Sequence, residues 1–231
     1  KHCQPIVLKK VYQRLQQLLP TGPCAICQKP VTHGPIPLCN RCRPKLPIQP
    51  HVPLELKQRD RWDEIFVPFQ YREPLAPLIH QLKFNHKLHL SRLFGLLIQQ
   101  QLQQRLQQQP FELPDQILPI PLHPKRLRQR GFNQALEMIR IPAKTLGIPI
   151  NRHGCRRVRF TPDQHGLDAQ ARRENLNHAF TVTQPLKGAH IALFDDVVTT
   201  GSTMEAVTKA LKQAGVRKIQ LWALAYTPPH Q

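Results

Sequence analysis

The second half of the chain alternates between two hydrophobic periodicities. Short runs of apolar residues and apolar residues at every second position predict strands, and apolar residues that recur every three to four positions predict amphipathic helices. Strand patterns cover 116–122, 148–150, 190–194 and 218–226, and helix patterns cover 132–146 and 204–214, with Gly215 at the position that follows a helix. This alternation predicts an α/β fold with a parallel sheet and a ligand site at the carboxyl ends of its strands.

The first half of the chain has a more mixed pattern. Residues 64–71 alternate as a strand does, and helical spacing follows over 73–83 and over the glutamine-rich stretch 87–109. Residues 43–63 contain four prolines between isolated apolar residues, which indicates a linker. We therefore expect an N-terminal unit at 1–50 with a linker to about residue 63, and a larger domain at 64–231.

The N-terminal segment predicts a helix of another kind. Its apolar residues share one helix face, and Lys9, Lys10 and Arg14 interrupt them, so an amphipathic helix is expected over 1–20 rather than a signal peptide. No apolar run approaches the ~18 residues that a membrane-spanning helix needs. These patterns predict a cytoplasmic protein without a transmembrane segment.

The charge of the chain is strongly positive. It contains 33 Lys and Arg against 14 Asp and Glu, a formal net charge of +19. An excess of this size indicates a polyanionic partner or substrate, and nucleic acid is the first candidate.

Four cysteines have the spacing of a metal site. Cys24 and Cys27 form one C-x-x-C hook, and Cys39 and Cys42 form a second hook after eleven intervening residues. Two such hooks complete a tetrahedral shell of four thiolates for a structural Zn²⁺, whereas catalytic zinc keeps one position open. Two disulfides of a secreted protein are the alternative. Cys3 and Cys155 fit neither pattern and are expected to be plain thiols.

The stretch IALFDDVVTTGSTM (191–204) joins a strand to a helix through two aspartates and a bend rich in hydroxyls. The N–H groups and hydroxyls of such a bend suit a phosphate, and the carboxylates of Asp195 and Asp196 can accept hydrogen bonds from neighbouring sugar hydroxyls. A ribose 5-phosphate fits both features. A solvated Asp-Asp turn before a capped helix is the alternative. The glycine spacing of nucleoside-triphosphate and dinucleotide loops is missing from this stretch.

This stretch resembles the phosphoribosyl-pyrophosphate (PRPP) binding motif of type I phosphoribosyltransferases, and the chain resembles the ComF family, the competence-associated members of that superfamily. PIPLHPKRLRQRGFNQ (119–134) is similar to the family's Pro-x-Pro, Lys-Arg and Arg-Gly-Phe-Asn-Gln block. RVRFTPDQHGLDAQARRENLNHAF (157–180) matches its Arg, Thr, Gln, Leu, Asn and Phe positions, and the cysteines match its zinc module. The resemblance implies a type I phosphoribosyltransferase-like parallel sheet with flanking helices, plus a small N-terminal zinc-binding module.

The resemblance also implies a ligand site. It assigns Asp195 and Asp196 to the ribose hydroxyls of PRPP, and it implies Mg²⁺ bound with PRPP. The residues that it assigns to the 5-phosphate are Thr199, Thr200, Gly201, Ser202 and Thr203, and those of the pyrophosphate turn are His123, Pro124, Lys125 and Arg126. The basic stretch 155–173 corresponds to the mobile loop of the superfamily. Pro142 departs from the pattern and is expected to kink or split the helix over 132–146.

Basic residues are concentrated between residues 125 and 173. Twelve Lys and Arg stand there against three acidic residues, more than one small ligand can use. Phosphate contacts would supply salt-dependent affinity for single-stranded DNA, and Phe160 is a candidate for base stacking, whereas the helical spacing of Phe132 predicts a core position. The candidate DNA-binding residues are Arg126, Arg128, Arg130, Arg156, Arg157, Arg159, Phe160, Arg172 and Arg173. Single strands are favoured because no helix-turn-helix pattern is evident.

Three functional hypotheses follow. The first is a bacterial competence protein that handles incoming single-stranded DNA in natural transformation and binds PRPP, as the resemblance implies. The second is a catalytically active phosphoribosyltransferase in nucleotide salvage. Its acceptor pocket would have to come from 43–110, where no convergent polar set or general base is evident, so the sequence assigns no catalytic residue. The third is an interaction protein whose zinc module docks on a competence helicase or another DNA-uptake component.

Overall fold

A five-stranded parallel sheet organises the protein, whose computed structural model describes residues 22–31, 34–57, 61–109, 111–159 and 178–227. The strands are β1 (Glu64–Phe66), β2 (Phe69–Gln70), β3 (Gln116–Pro119), β4 (Cys155–Arg157), β5 (Phe180–Val182), β6 (His190–Val198) and β7 (Lys218–Tyr226). The sheet order is β1-β7-β6-β3, with β2 also paired to β7, and every pair in it is parallel. β4 and β5 form a separate antiparallel ribbon. The predicted α/β class with a parallel sheet is confirmed.

Helices flank this sheet. They are α1 (Leu54–Lys57), α2 (Leu75–Phe84), α3 (Leu90–Gln108), α4 (Pro124–Arg130), α5 (Gln134–Leu146) and α6 (Ser202–Gln213), and a 3₁₀ turn spans Arg43–Lys45. The expected strand at 148–150 is reduced to one bridge between Ile150 and Ile117. Helix α4, which the sequence pattern did not predict, occupies the end of the expected pyrophosphate turn.

Helix α5 continues through Pro142, so the expected split of this helix does not occur. Proline lacks the N–H that would bond to the carbonyl of Met138 one turn earlier. That carbonyl oxygen lies 2.9 Å from the position that a Cβ at Gly95 of α3 would take. The absence of a side chain at Gly95 therefore lets α3 approach α5 at the turn where the ladder of hydrogen bonds is interrupted.

Alternate residues of the central strands β6 and β7 pack into two separate hydrophobic cores. Phe194 and Trp222 face a cluster that includes α2, α3 and α5. Ile191 and Leu221 face the opposite cluster, which includes α6 and Trp62. Both faces of the sheet are covered, which is the condition under which parallel strands are stable.

The segment that carries the four cysteines packs on the first of these cores. Val31, Ile36 and Leu38 are buried in the same cluster as α2 and α3, and the Arg43 guanidinium donates to Gln100 Oε1 at 2.9 Å. The expected linker also packs, since Trp62 Nε1 donates to Thr208 Oγ1 at 2.9 Å. The domain boundary near residue 64 stays a prediction.

The predicted helix over 1–20 lies outside the described residues. Within the described ranges, no helix combines the length and the apolar character needed to cross a membrane.

A buried histidine lies at the amino-terminal end of strand β6. His190 is 1% exposed, and its Nδ1 atom lies 3.5 Å from Glu112 Oε1. Burial lowers the pKa of His190, and the charge of Glu112 only partly opposes this effect. The folded state therefore holds His190 neutral at a pH at which an unfolded chain begins to bind a proton.

We expect His190 to make the protein less stable in mild acid. Because its folded pKa is depressed, its contribution is complete above the unfolded pKa of about 6.5 and is lost as the pH falls below that value. Chemical denaturation between about pH 8 and pH 5 should give wild type a steeper loss of stability than His190→Gln, by up to about 1.4 kcal/mol per pH unit. Parallel profiles for the two proteins would contradict this expectation.

Candidate functional site

The two aspartates lie within the carboxyl-terminal half of strand β6, whereas the sequence pattern ended this strand before them. The strand continues to Val198, and Asp195 is in register with Ala223 of β7. Asp196 is 6% exposed, and its backbone N–H donates to Asp195 Oδ1 at 2.8 Å. Both carboxylates are thus fixed at the carboxyl edge of the sheet, where sequence analysis placed them.

Asp196 forms a buried ion pair that sequence analysis did not predict. Lys83 Nζ, from α2, lies 2.9 Å from Asp196 Oδ1, and the two side chains are 20% and 9% exposed. Burial alone would lower the pKa of Lys83, but the nearby carboxylates of Asp196 and Asp195 raise it above its ordinary value. No local signal in the sequence separates this lysine from a solvated one, because only the fold brings α2 to the end of β6.

Asp195 is held in an unusual protonation environment. Burial raises the pKa of its carboxyl, the charge of Asp196 raises it further, and Lys83 opposes both effects. Arg157 of β4 also lowers this pKa through its charge. The pair therefore combines a carboxylate that contacts Lys83 with a second whose proton affinity is increased.

The bend after β6 is shaped by Gly201. Its φ of 74° lies in the left-handed region, and a Cβ there would lie 3.5 Å from both Leu56 and Trp62. Beside it, the Thr200 and Ser202 hydroxyls lie 2.8 Å apart in a mutual hydrogen bond. The expected linker thus supports the bend that precedes α6.

The first turn of α6 also contains the buried Glu205, whose carboxylate lies 3.3 Å from the Arg61 guanidinium.

The turn after β3 lies beside the acidic pair. Pro119 is in register with Phe194, and the Ile120 N–H donates to the Phe194 carbonyl at 2.8 Å. Because parallel strands end at the same edge, His123 and the residues after it leave the sheet next to Asp195. His123 caps α4, since its Nδ1 accepts from the Lys125 N–H at 3.2 Å.

The candidate DNA-binding arginines divide between two elements. Arg126, Arg128 and Arg130 lie on α4, and Arg156 and Arg157 lie on β4 with Arg159 just beyond it. Phe160, Arg172 and Arg173 fall outside the described residues. Phe132, expected in the core, packs against it as a half-buried side chain.

A groove of about 530 Å³ separates α4 from the β4 ribbon. Its walls are mostly apolar, with Leu122, Leu127 and Val158 among them, and Arg152, Arg156 and Arg157 also line it. The groove therefore has the composition of a surface that can accept bases or sugars while cations hold phosphates.

The four predicted cysteine ligands meet at one point. The Sγ atoms of Cys24, Cys27, Cys39 and Cys42 all lie within 4.8 Å of one another, and those of Cys27 and Cys39 are 3.6 Å apart. Four thiolates at about 2.3 Å from a tetrahedral Zn²⁺ would lie roughly 3.8 Å apart. Burial, followed by hydrogen bonds with the neighbouring thiols, raises the pKa of Cys42 to about 12. The geometry fits a metal ion.

Comparison with known proteins agrees with this arrangement. A family model described as phosphoribosyl transferase domain matches residues 134–230. Competence protein F of Haemophilus influenzae is 35% identical over 88% of this chain and 90% of its own length. The chain belongs to the ComF family. Escherichia coli K12 has a further ComF relative of this chain, the DNA utilization protein YhgH, which is 33% identical over 88% of this chain and 84% of its own.

A solved structure titled as the allosteric regulatory enzyme of purine biosynthesis aligns with this ComF chain at 18% identity. It covers 51% of this chain and 23% of the other, at a TM-score of 0.34. The parallel sheet and the four-cysteine cluster agree with the match to the phosphoribosyl transferase domain and with membership of the ComF family.

In this ComF chain we expect the Lys83–Asp196 pair to be coupled energetically. Lys83→Met should destabilise the fold by about 3 kcal/mol, because it leaves a buried carboxylate without its counterion. Asp196→Asn should cost a similar amount, and the double variant should cost clearly less than both changes together. Chemical denaturation of the four proteins measures the coupling. Lys87→Met, a change at an exposed lysine of the next loop, is the matched control, and equal costs at the two lysines would contradict the assignment.

Proposed function

We propose that this chain is a competence-associated protein of the bacterial cytoplasm that handles incoming single-stranded DNA and binds PRPP with Mg²⁺. One observation carries the proposal: α4 begins at the turn after β3, next to the end of β6, and shares a groove with the cationic strand β4. The names of the relatives, a competence protein and a DNA utilization protein, support the biological setting.

The PRPP part of the proposal has to accommodate the ion pair of Asp196. Lys83 engages Oδ1 of Asp196, and a carboxylate offers about four acceptor positions on its two oxygens, so capacity remains for a ribose hydroxyl. Asp195 would receive the second hydroxyl, and the bend from Thr199 to Thr203 would hold the 5-phosphate. The diphosphate would then extend with Mg²⁺ towards His123, Lys125 and Arg126 on the adjacent strand end.

The DNA part of the proposal rests on the surface of α4 and β4. Every residue of α4 is at least partly exposed, and Arg128, Arg156 and Arg159 are among the exposed cations. These side chains border an apolar groove that can contact bases or sugars, while the guanidinium groups contact phosphates. Such a surface gives affinity that depends on salt and little on sequence.

The cysteine cluster is proposed to hold a structural Zn²⁺. Four sulfur ligands leave no open position for a substrate, which is typical of structural sites. Cys24 and Cys42 are buried in the core that they share with α2 and α3. The metal would thus stabilise the surface against which the larger domain packs, and the exposed side of the cluster would be available to a competence helicase or another uptake component.

Removal of the metal should destabilise the whole chain. We expect one Zn²⁺ per chain by atomic spectroscopy, and we expect chelation to lower the Tm, because the cysteine segment shares its core with the sheet. Cys39→Ser should lose the metal. Cys155→Ser, at a buried cysteine far from the cluster in sequence, should keep it. A metal-free protein with an unchanged Tm would contradict the structural role.

Binding of oligo(dT) should weaken steeply with salt. For single strands, the slope of the logarithm of the binding constant against the logarithm of the salt concentration is about −0.7 for each phosphate contact. Arg128→Gln and Arg156→Gln should therefore each weaken binding and make this slope less negative by about 0.7. Lys212→Gln removes the same charge near the carboxyl end of α6, away from the proposed surface, and should change neither quantity. A slope near zero for the wild type would remove the DNA part of the proposal.

The same preparation tests the PRPP part. Calorimetry with PRPP and Mg²⁺ should show binding that Asp195→Asn weakens while the Tm is retained. Unchanged affinity in that variant would mean that the site is misplaced. Pyrophosphate release from PRPP with a panel of nucleobases separates a binding site from the second candidate, an active phosphoribosyltransferase, which the match of residues 134–230 favours.

A further inference from the structure

One exposed aromatic side chain directly follows Lys83 in the chain. Six large apolar residues are exposed in the part of the chain that the structure describes, and Phe84 is the only aromatic among them. Phe84 is the last residue of α2 and is 52% exposed. The preceding residue, Lys83, makes the ion pair with Asp196. The backbone of α2 at Phe84 is therefore held near the carboxyl edge of the sheet by the adjacent residue.

Two cationic or titratable side chains contact this ring. The His80 ring lies one helical turn earlier, with its centroid 4.6 Å from that of Phe84 and a tilt of 37°. The Arg130 guanidinium carbon lies 5.3 Å from the Phe84 centroid, which is a cation–π distance. Both contacts orient the ring, while half of its surface stays open to solvent.

The position of Arg130 links Phe84 to the proposed DNA surface. Arg130 ends α4, and its carbonyl oxygen lies 3.2 Å from Nδ1 of His86 in the loop after α2. Lys87 and His89 of this loop are also exposed, so further basic side chains lie within a few residues of Phe84 in the chain. An aromatic face among cations is the arrangement with which proteins bind single strands, by base stacking and phosphate contacts together.

We propose that Phe84, with His80 and Arg130, forms a stacking platform for one base of single-stranded DNA. This inference rests on the proposed function and adds a base contact to a surface otherwise defined by arginines. The base lies on the open face of Phe84, and the phosphates on either side of it contact Arg130 and the loop after α2. The strand passes from the groove between α4 and β4 across the end of α4 to α2.

Two oligonucleotides of equal charge test the platform. Oligo(dT) and an abasic strand of the same length present the same phosphates, and only oligo(dT) has bases to stack. Phe84→Ala should weaken binding of oligo(dT) by about 5- to 100-fold and leave the abasic strand and the salt slope unchanged. Phe84→Trp should retain the affinity for oligo(dT). Leu113→Ala, which shortens another exposed apolar residue before β3, is the matched control and should have no effect.

Fluorescence of Phe84→Trp gives a second readout that does not depend on affinity. The two natural tryptophans, Trp62 and Trp222, are buried, so an exposed indole at position 84 would dominate the response to a ligand. We expect oligo(dT) to quench it and the abasic strand to leave it unchanged.

The outcomes separate the two proposals. If the wild-type protein binds neither oligo(dT) nor the abasic strand, or binds them with an affinity that does not depend on salt, the proposed DNA function fails. If wild type binds oligo(dT) and Phe84→Ala binds it equally well, or if the indole at position 84 is not quenched, the platform alone is overturned. Quenching by free thymine at the concentrations at which oligo(dT) saturates would assign the ring to a free nucleobase and would also overturn the platform.

Discussion

The buried ion pair between Lys83 and Asp196 is the interaction on which the candidate site depends. It joins the end of α2, from the first half of the chain, to the end of β6, from the second half, at a distance of 2.9 Å. A carboxylate this far from water requires a counterion, so the two halves are held in one relative position. The backbone of α2 that carries Phe84 is held at the edge of the sheet as a consequence.

The edge combines charges of both signs. Asp195 and Asp196 lie at the end of β6, while α4, which follows the turn after the adjacent strand β3, and β4 carry arginines. A ligand with hydroxyls at its centre and phosphates at its ends would satisfy both sets of groups, which is the chemical character of PRPP. A nucleic-acid strand would use mainly the cations and the apolar groove. The two proposed ligands thus share part of one surface, and any coupling between them must be reciprocal.

The cysteine segment has an energetic role in this arrangement. Its buried residues belong to the same cluster as α2 and α3, so the order of the segment and the position of α2 are connected. A structural metal at Cys24, Cys27, Cys39 and Cys42 would therefore affect the site indirectly, through the helix that carries Lys83 and Phe84.

The sequence by itself determined the local elements and the motifs. Periodicity predicted the strands at 190–194 and 218–226 and the helix at 204–214, because both faces of these strands and one face of this helix are apolar. Spacing predicted the meeting of the cysteines, since each C-x-x-C hook is a local turn. Only the tertiary structure decided that Lys83 pairs with Asp196, that Phe84 is exposed beside Arg130, and that Gly95 lets α3 approach the Met138 carbonyl of α5. Each of these contacts joins residues more than 40 positions apart, and no periodicity records which distant segments a fold brings together.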